Sequence, residues 1–202
     1  MSSTLVLGVG NILWADEGFG VRAAEAFAAA WDTGPSVTVM DGGTQGLLLI
    51  PHLQAHQNLI LLDAVDFGAA PGSLVEVRDR DLPAFFTAKK MSLHQTGMQE
   101  VLALADLLGA YPKQALLLGV QPVDMEDYGG SLSAPVRARV PEAVAKTAAQ
   151  LQAWGERLAP RSGPAPALFD VSLALTPYEA GRPDAHAACR YGDERVLARA
   201  GG

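Results

Sequence analysis

The stretch TLVLGVGNILWADEGFGVRAAEAFAAAW, residues 4–31, decides the fold class. Residues 4–9 are a short, continuous apolar run, the pattern of a strand buried on both faces in a parallel sheet. From Gly18 to Trp31 the apolar residues Val21, Ala24, Ala28 and Trp31 recur every three or four positions and leave Arg22 and Glu25 facing outward, which predicts an amphipathic helix. Strand, acidic turn and helix make one βα unit.

The alternation continues along the chain. SVTVM (36–40) leads into a Gly-rich turn and a short helix near 45–54, and NLILL (58–62) leads to Asp63 and a loop. A third repeat points to the α/β class. SLVEVR (73–78) follows Pro71-Gly72 and alternates, so it reads as an added antiparallel strand at an edge. QALLLGV (114–120) is a further buried strand. The helix before it carries Met98, Val101, Leu102, Ala105 and Leu108 on one stripe, and a last long helix over 141–158 faces Val144, Thr147, Leu151, Trp154 and Leu158 inward. This body, 1–158, is read as one domain. After APRSGPAPA the stretch 159–202 has no strong period and reads as a Pro/Ala-rich linker and C-terminal tail, with Leu168, Phe169, Leu173, Leu175 and Tyr178 available to pack back.

Composition narrows the partners. With 202 residues, 49% of them hydrophobic, the chain suits one core. A net charge of -7 disfavours nucleic acid and anionic membrane surfaces. The single cysteine, Cys189, excludes an internal disulfide, and the apolar start lacks a basic leader and is broken by Gly8, Gly10 and Asn11. No run approaches the roughly 20 apolar residues of a membrane span. A cytoplasmic protein is expected.

Ligands of an open α/β sheet bind beyond the carboxyl ends of its parallel strands. Strand one is followed there by Asn11, Asp16 and Glu17, strand two by Asp41 and GGTQG, and strand three by Asp63 and Asp66. A lone Asp after a strand is usually a cap or turn residue, and Asp16 suits the cap of helix one. Several acids on one rim raise each other's pKa unless a cation compensates, and a metal is the economical explanation. His52 and His56 lie at the amino edge of strand three, away from the acids. His94 lies in SLHQTG, where Ser92 and Gln95 form a capping-box pattern that puts it in the first turn of a helix over 93–108. The positive helix end keeps its ring neutral and able to bind metal. Two carboxylates and an imidazole leave coordination positions open and suit nickel or zinc. GVGN (8–11) begins like a dinucleotide fingerprint but has Leu13 at the third glycine position, and no phosphate loop or nucleophile elbow occurs.

LVLGVGNILWADEGFGVR (5–22), MDGGTQG (40–46), LILLDAVDFG (59–68), SLHQTG (92–97) and LLGVQP (117–122) together resemble the hydrogenase maturation endopeptidases, which process the large subunit of nickel-iron hydrogenases. The resemblance covers roughly residues 4–158. It implies a three-layer α/β fold with a twisted, mostly parallel five-stranded sheet flanked by helices. It also implies metal binding and catalysis by Glu17, Asp63 and His94, and substrate choice by Asp41 with Gly42 and Gly43. The implied partner is the large-subunit precursor, which brings the nickel and loses a C-terminal peptide. Two alternatives stand beside it: a nickel-recognising assembly factor that does not cut, and a metal-free peptidase of the spore-protein type. Residues 178–197 look like the ending of some uptake-hydrogenase members, and no function is carried over to them.

Overall fold

A computed structural model describes residues 3–87 and 93–183, and the side chains of residues 93–96 stand outside that description. Strand β1 (Thr4–Val9) is followed by a 3-10 turn, Ala15–Gly18, and helix α1 (Phe19–Ala30). A short β2 (Trp31–Thr33) precedes β3 (Val37–Gly43), a second 3-10 turn, Gly46–Leu49, and α2 (Ile50–Ala55). Then come β4 (Asn58–Ala64), β5 (Leu74–Arg78), α3 (Asp81–Thr87), α4 (Leu93–Leu107) and β6 (Gln114–Val120). Helices α5 (Ala134–Arg137) and α6 (Val140–Ala153), strand β7 (Leu158–Pro160) and α7 (Leu175–Ala180) complete the order.

The main sheet runs β3-β1-β4-β6-β5, with the first four strands parallel and β5 antiparallel at the edge. The apolar runs have a two-residue period in space. Val6, Ile60, Leu62, Leu116 and Leu118 point to the face covered by α1 and α6, while Leu5, Leu7, Leu59, Leu61 and Leu117 point to the face of α2, α3 and α4. Continuous hydrophobicity is thus the mark of two separate cores, one on each face, as a doubly covered sheet requires. This is the three-layer α/β fold that the sequence implied. Among the described residues no helix is long and apolar enough to cross a membrane.

Helix α1 lies unusually close to the sheet because two glycines meet there. A Cβ on Gly8 would stand 2.4 Å from the Gly20 carbonyl oxygen, and one on Gly20 would stand 2.1 Å from that of Leu62. Any side chain would lift the helix and with it the turn that carries Glu17.

Three expectations change. Leu108 falls beyond the end of α4 and is half exposed, because the stripe ends at Ala105 and the chain turns at Gly109. The last long helix stops at Ala153, and Leu158 instead joins β7, which pairs antiparallel with β2. Arg22, expected to face outward, is only 3% exposed. The residues that cover it come from the segment after Leu158. That segment is tied to the body: Arg161 donates to the carbonyls of Ala28 and Trp31, and Leu168 packs on the α1/α6 core. The boundary placed at 158 passes through β7.

Candidate functional site

Parallel pairing brings the carboxyl ends of β1, β3 and β4 side by side. Gly8 of β1 lies in register with Asp41 on one side and Leu62 on the other, so Asp63 follows one position beyond Leu62. Asp63 is fully buried. Glu17 is half-buried in the Ala15–Gly18 turn, which closes over the end of β1: a Cβ on Gly10 would collide with the Glu17 carbonyl oxygen. The first turns of α4 also reach this rim, since Gly97 stands 3.8 Å from the Cα of Gly46 as measured from an added Cβ, and Gly97 and Met98 line a small cavity of about 60 Å³ with Val9 and Gly43. Fold and register therefore bring Glu17, Asp63 and the start of the His94 helix to one edge. The His94 side chain, the Ser92 cap, His186 and Cys189 lie outside the described residues. Among the described residues no three His, Cys, Asp or Glu side chains form a metal-sized group. A donor set of two carboxylates and one imidazole still fits a divalent ion, given a buried carboxylate and a partly open neighbour.

The turn holding Glu17 is strained and strongly tied. Ala15 has φ 42°, a left-handed conformation that costs a non-glycine residue on the order of 1 kcal/mol. Asp16, expected to cap α1, does not cap it; the helix begins at Phe19 with Gly18 as its cap. Fully buried, Asp16 accepts from the backbone N–H of Val123 at 2.8 Å, Asp124 at 3.1 Å and Ser133 at 2.7 Å, and from the Ser133 hydroxyl at 2.8 Å. It fastens the Glu17 turn to the long connection after β6, and Trp14 adds an edge contact to Tyr128 with ring centroids 5.3 Å apart. Removing the carboxylate strands three amides and a hydroxyl. Asp16→Ala is expected to cost about 3 kcal/mol or more, against about 1 kcal/mol for Ser133→Ala. That corresponds to a fall in Tm of roughly 6–12 °C by thermal unfolding, and equal melting of the two variants would contradict it.

Asp41 closes the other side of the rim. Its Oδ1 accepts from the Gly43 N–H at 2.7 Å, across a turn in which Gly43 has φ 46°. Gly42 is needed beside it for space, because a Cβ there would stand 2.6 Å from Leu7 Cδ1. Burial pushes the Asp41 pKa up, against the opposing pulls of the Gly43 bond and the nearby Arg22 charge. A partly desolvated carboxylate of this kind gains most from a partner that restores a cation or donor. An open groove of about 250 Å³ is lined by Asn11, Leu13, Val21, Asp41 and Leu173. A hollow of about 280 Å³ between Tyr128 and Tyr178 contains none of the rim carboxylates.

Other candidates have structural work. Asp66 is exposed, and its carboxylate accepts from the Gly68 N–H in its own loop and from the Gln121 side chain just after β6. His56 bonds the His52 carbonyl and the Thr38 hydroxyl at the opposite end of the sheet, as expected of residues away from the acids.

The arrangement matches known proteins. Residues 21–150, more than half of the chain, fit the HycI hydrogenase maturation protease family model. The chain belongs to this family. It is 52% identical to the hydrogenase expression/formation protein HoxM of Cupriavidus necator, across 96% of this chain and 97% of that protein. It is 39% identical to the hydrogenase 2 maturation protease of Escherichia coli, across 78% and 95%. The solved structure of the hydrogenase maturating endopeptidase HybD from E. coli superposes with a TM-score of 0.75 at 38% identity, covering 79% of this chain and 98% of that one. The family model ends before β7, so the segment that buries Arg22 lies beyond it. That burial was missed in the sequence, where the only signals were Glu25 three residues on and the aromatic residues Phe169 and Tyr178.

Proposed function

We propose that this protein is an endopeptidase that removes the C-terminal peptide from a nickel-iron hydrogenase large-subunit precursor once nickel is in place. The observation that carries the proposal is the convergence of Glu17, Asp63 and the start of the His94 helix on one rim in a member of the maturation protease family. Glu17, Asp63 and His94 are the proposed ligands to the precursor's nickel and the catalytic set. A divalent ion there supplies a Lewis acid, able to polarise the scissile carbonyl or acidify an attacking water. The chain's own part is to orient it. Buried Asp63 fixes one ligand from a rigid strand, and the strained, fourfold-anchored turn fixes Glu17. Asp41, with Gly42 and Gly43, is the proposed element of substrate choice, since it lines the groove leading to the rim.

A cytoplasmic site of action is part of the proposal, in keeping with a sequence that has one cysteine. The competing function is an assembly factor that grips the nickel-loaded precursor without cutting it. Incubating the protein with nickel-loaded precursor and weighing the products separates the two. Loss from the precursor of one C-terminal peptide supports the protease; an unchanged precursor mass, with a stable complex formed, supports the assembly factor. Run with precursors from two different hydrogenases, the same assay with Asp41→Asn is expected to change their ratio of cleavage, and an equal loss for both would remove Asp41 from substrate choice.

A further inference from the structure

The segment after β7 is built into the groove beside Asp41. Asp170 starts a 3-10 turn, Val171–Leu173, by accepting from the Ser172 N–H at 2.9 Å and its hydroxyl at 2.6 Å. Arg22 of α1 donates through one nitrogen to the Leu173 carbonyl at 2.7 Å and to Glu25 at 2.9 Å. The other Glu25 oxygen accepts from the Leu175 N–H at 3.1 Å. The rings of Phe169 and Tyr178 lie 5.7 Å and 5.2 Å from the guanidinium carbon, and the Tyr178 hydroxyl donates to the Gly130 carbonyl at 3.0 Å. Glu179 accepts from Arg137 and Ser131 beyond it.

A guanidinium in so dry a place is held by its partners or is costly, because desolvating a charge outweighs any single contact. Arg22 has an anion, a carbonyl and two ring faces, although its Nη2 has no hydrogen-bond partner among the described residues. These contacts fix the height of the 171–173 turn over α1. They leave the Leu173 side chain half-buried on the wall of the groove that Asp41 also lines.

We propose that Leu173 is a specificity-determining residue for the precursor, supplying apolar wall to the groove that Asp41 also lines, and that Arg22 is the positioning residue that sets it there. The proposal rests on the precursor being the groove's occupant. The occupant is then an extended segment of the precursor with an apolar side chain between Leu13, Val21 and Leu173 and a polar or cationic group toward Asp41.

Leu173→Ala is the clean variant. Arg22 bonds the carbonyl and not the side chain, so the segment stays clamped while the wall is lost. KM for nickel-loaded precursor is expected to rise about fivefold or more, with a smaller change in kcat and little change in Tm, as for truncation of an apolar anchor in a binding site. Arg22→Leu is expected to raise KM similarly, Arg22→Lys to restore part of it, and the double variant Arg22→Leu with Leu173→Ala to be no worse than about the larger single effect, because both act through one wall. Affinity for the precursor measured with Glu17→Gln as background gives the same comparison without cleavage. Unchanged KM and unchanged affinity in Leu173→Ala overturn the proposal. Weaker affinity in a protein that never cuts would sustain the wall while overturning the protease reading.

Discussion

Asp63→Asn is expected to lower release of the C-terminal peptide more than about 100-fold while leaving a folded protein, and Glu17→Gln and His94→Ala to do the same. The physical reason differs for each. Asp63 comes from a strand whose seven residues are all buried, so its carboxylate has no freedom to compensate for a lost charge by moving. Asparagine keeps the volume and supplies a neutral donor-acceptor group where a cation needs an anion. Glu17 sits in a turn already strained at Ala15 and held by Asp16, so its reach is set by that anchor; glutamine again removes charge at constant shape. His94→Ala removes the only nitrogen of the proposed set. Few ligands mean that each carries much of the geometry, so the losses are expected to be similar and far from additive. The measurement is the mass of the released peptide over time, with circular dichroism and melting as the control for folding. A variant that cuts at the normal rate takes its residue out of the site.

Nickel-free precursor is expected to stay intact with this protein, and nickel-loaded precursor to be cut by the metal-free protein. The proposed set, two oxygens and a nitrogen with no thiolate, is open and sparsely coordinated and is expected to hold a divalent ion weakly compared with a closed cage of Cys or His. On this proposal the precursor contributes the tight ligands and the rim completes the shell. An empty precursor offers nothing to bridge, which gives selectivity for a finished substrate. Comparing the two precursors by released peptide, after the protein has been stripped with a chelator, tests this directly. Efficient cleavage of the nickel-free precursor would end the substrate-borne nickel mechanism and leave the endopeptidase proposal in place. Tight nickel retention by the purified protein would contradict the weak-site premise on its own.

Local sequence determined the sheet and the identity of its rim. Apolar runs at 4–9, 58–62 and 114–120 have too few polar atoms to face water on either side, so each had to become a strand covered on both faces, and helices at 3.6-residue spacing had to supply the cover. Once the strands are parallel, whatever follows them shares an edge, which is why Glu17, Asp41 and Asp63 could be placed on it from position alone, together with Asn11, Asp16 and Asp66, while the choice among them came from the family resemblance. Tertiary structure alone decided what each buried charge contacts. Asp16 reads as a helix cap in sequence because its local neighbours suit one; its actual partners lie more than a hundred residues away, at Val123, Asp124 and Ser133. Arg22 reads as solvent-facing because its own helix leaves it on the polar side, and only the return of the chain through Phe169, Leu173 and Tyr178 takes it out of water. Periodicity records which face of an element is apolar. It holds no record of which distant segment will cover the polar face, since that depends on long-range closure and on pairings such as β2 with β7, three residues each and too short to leave a pattern.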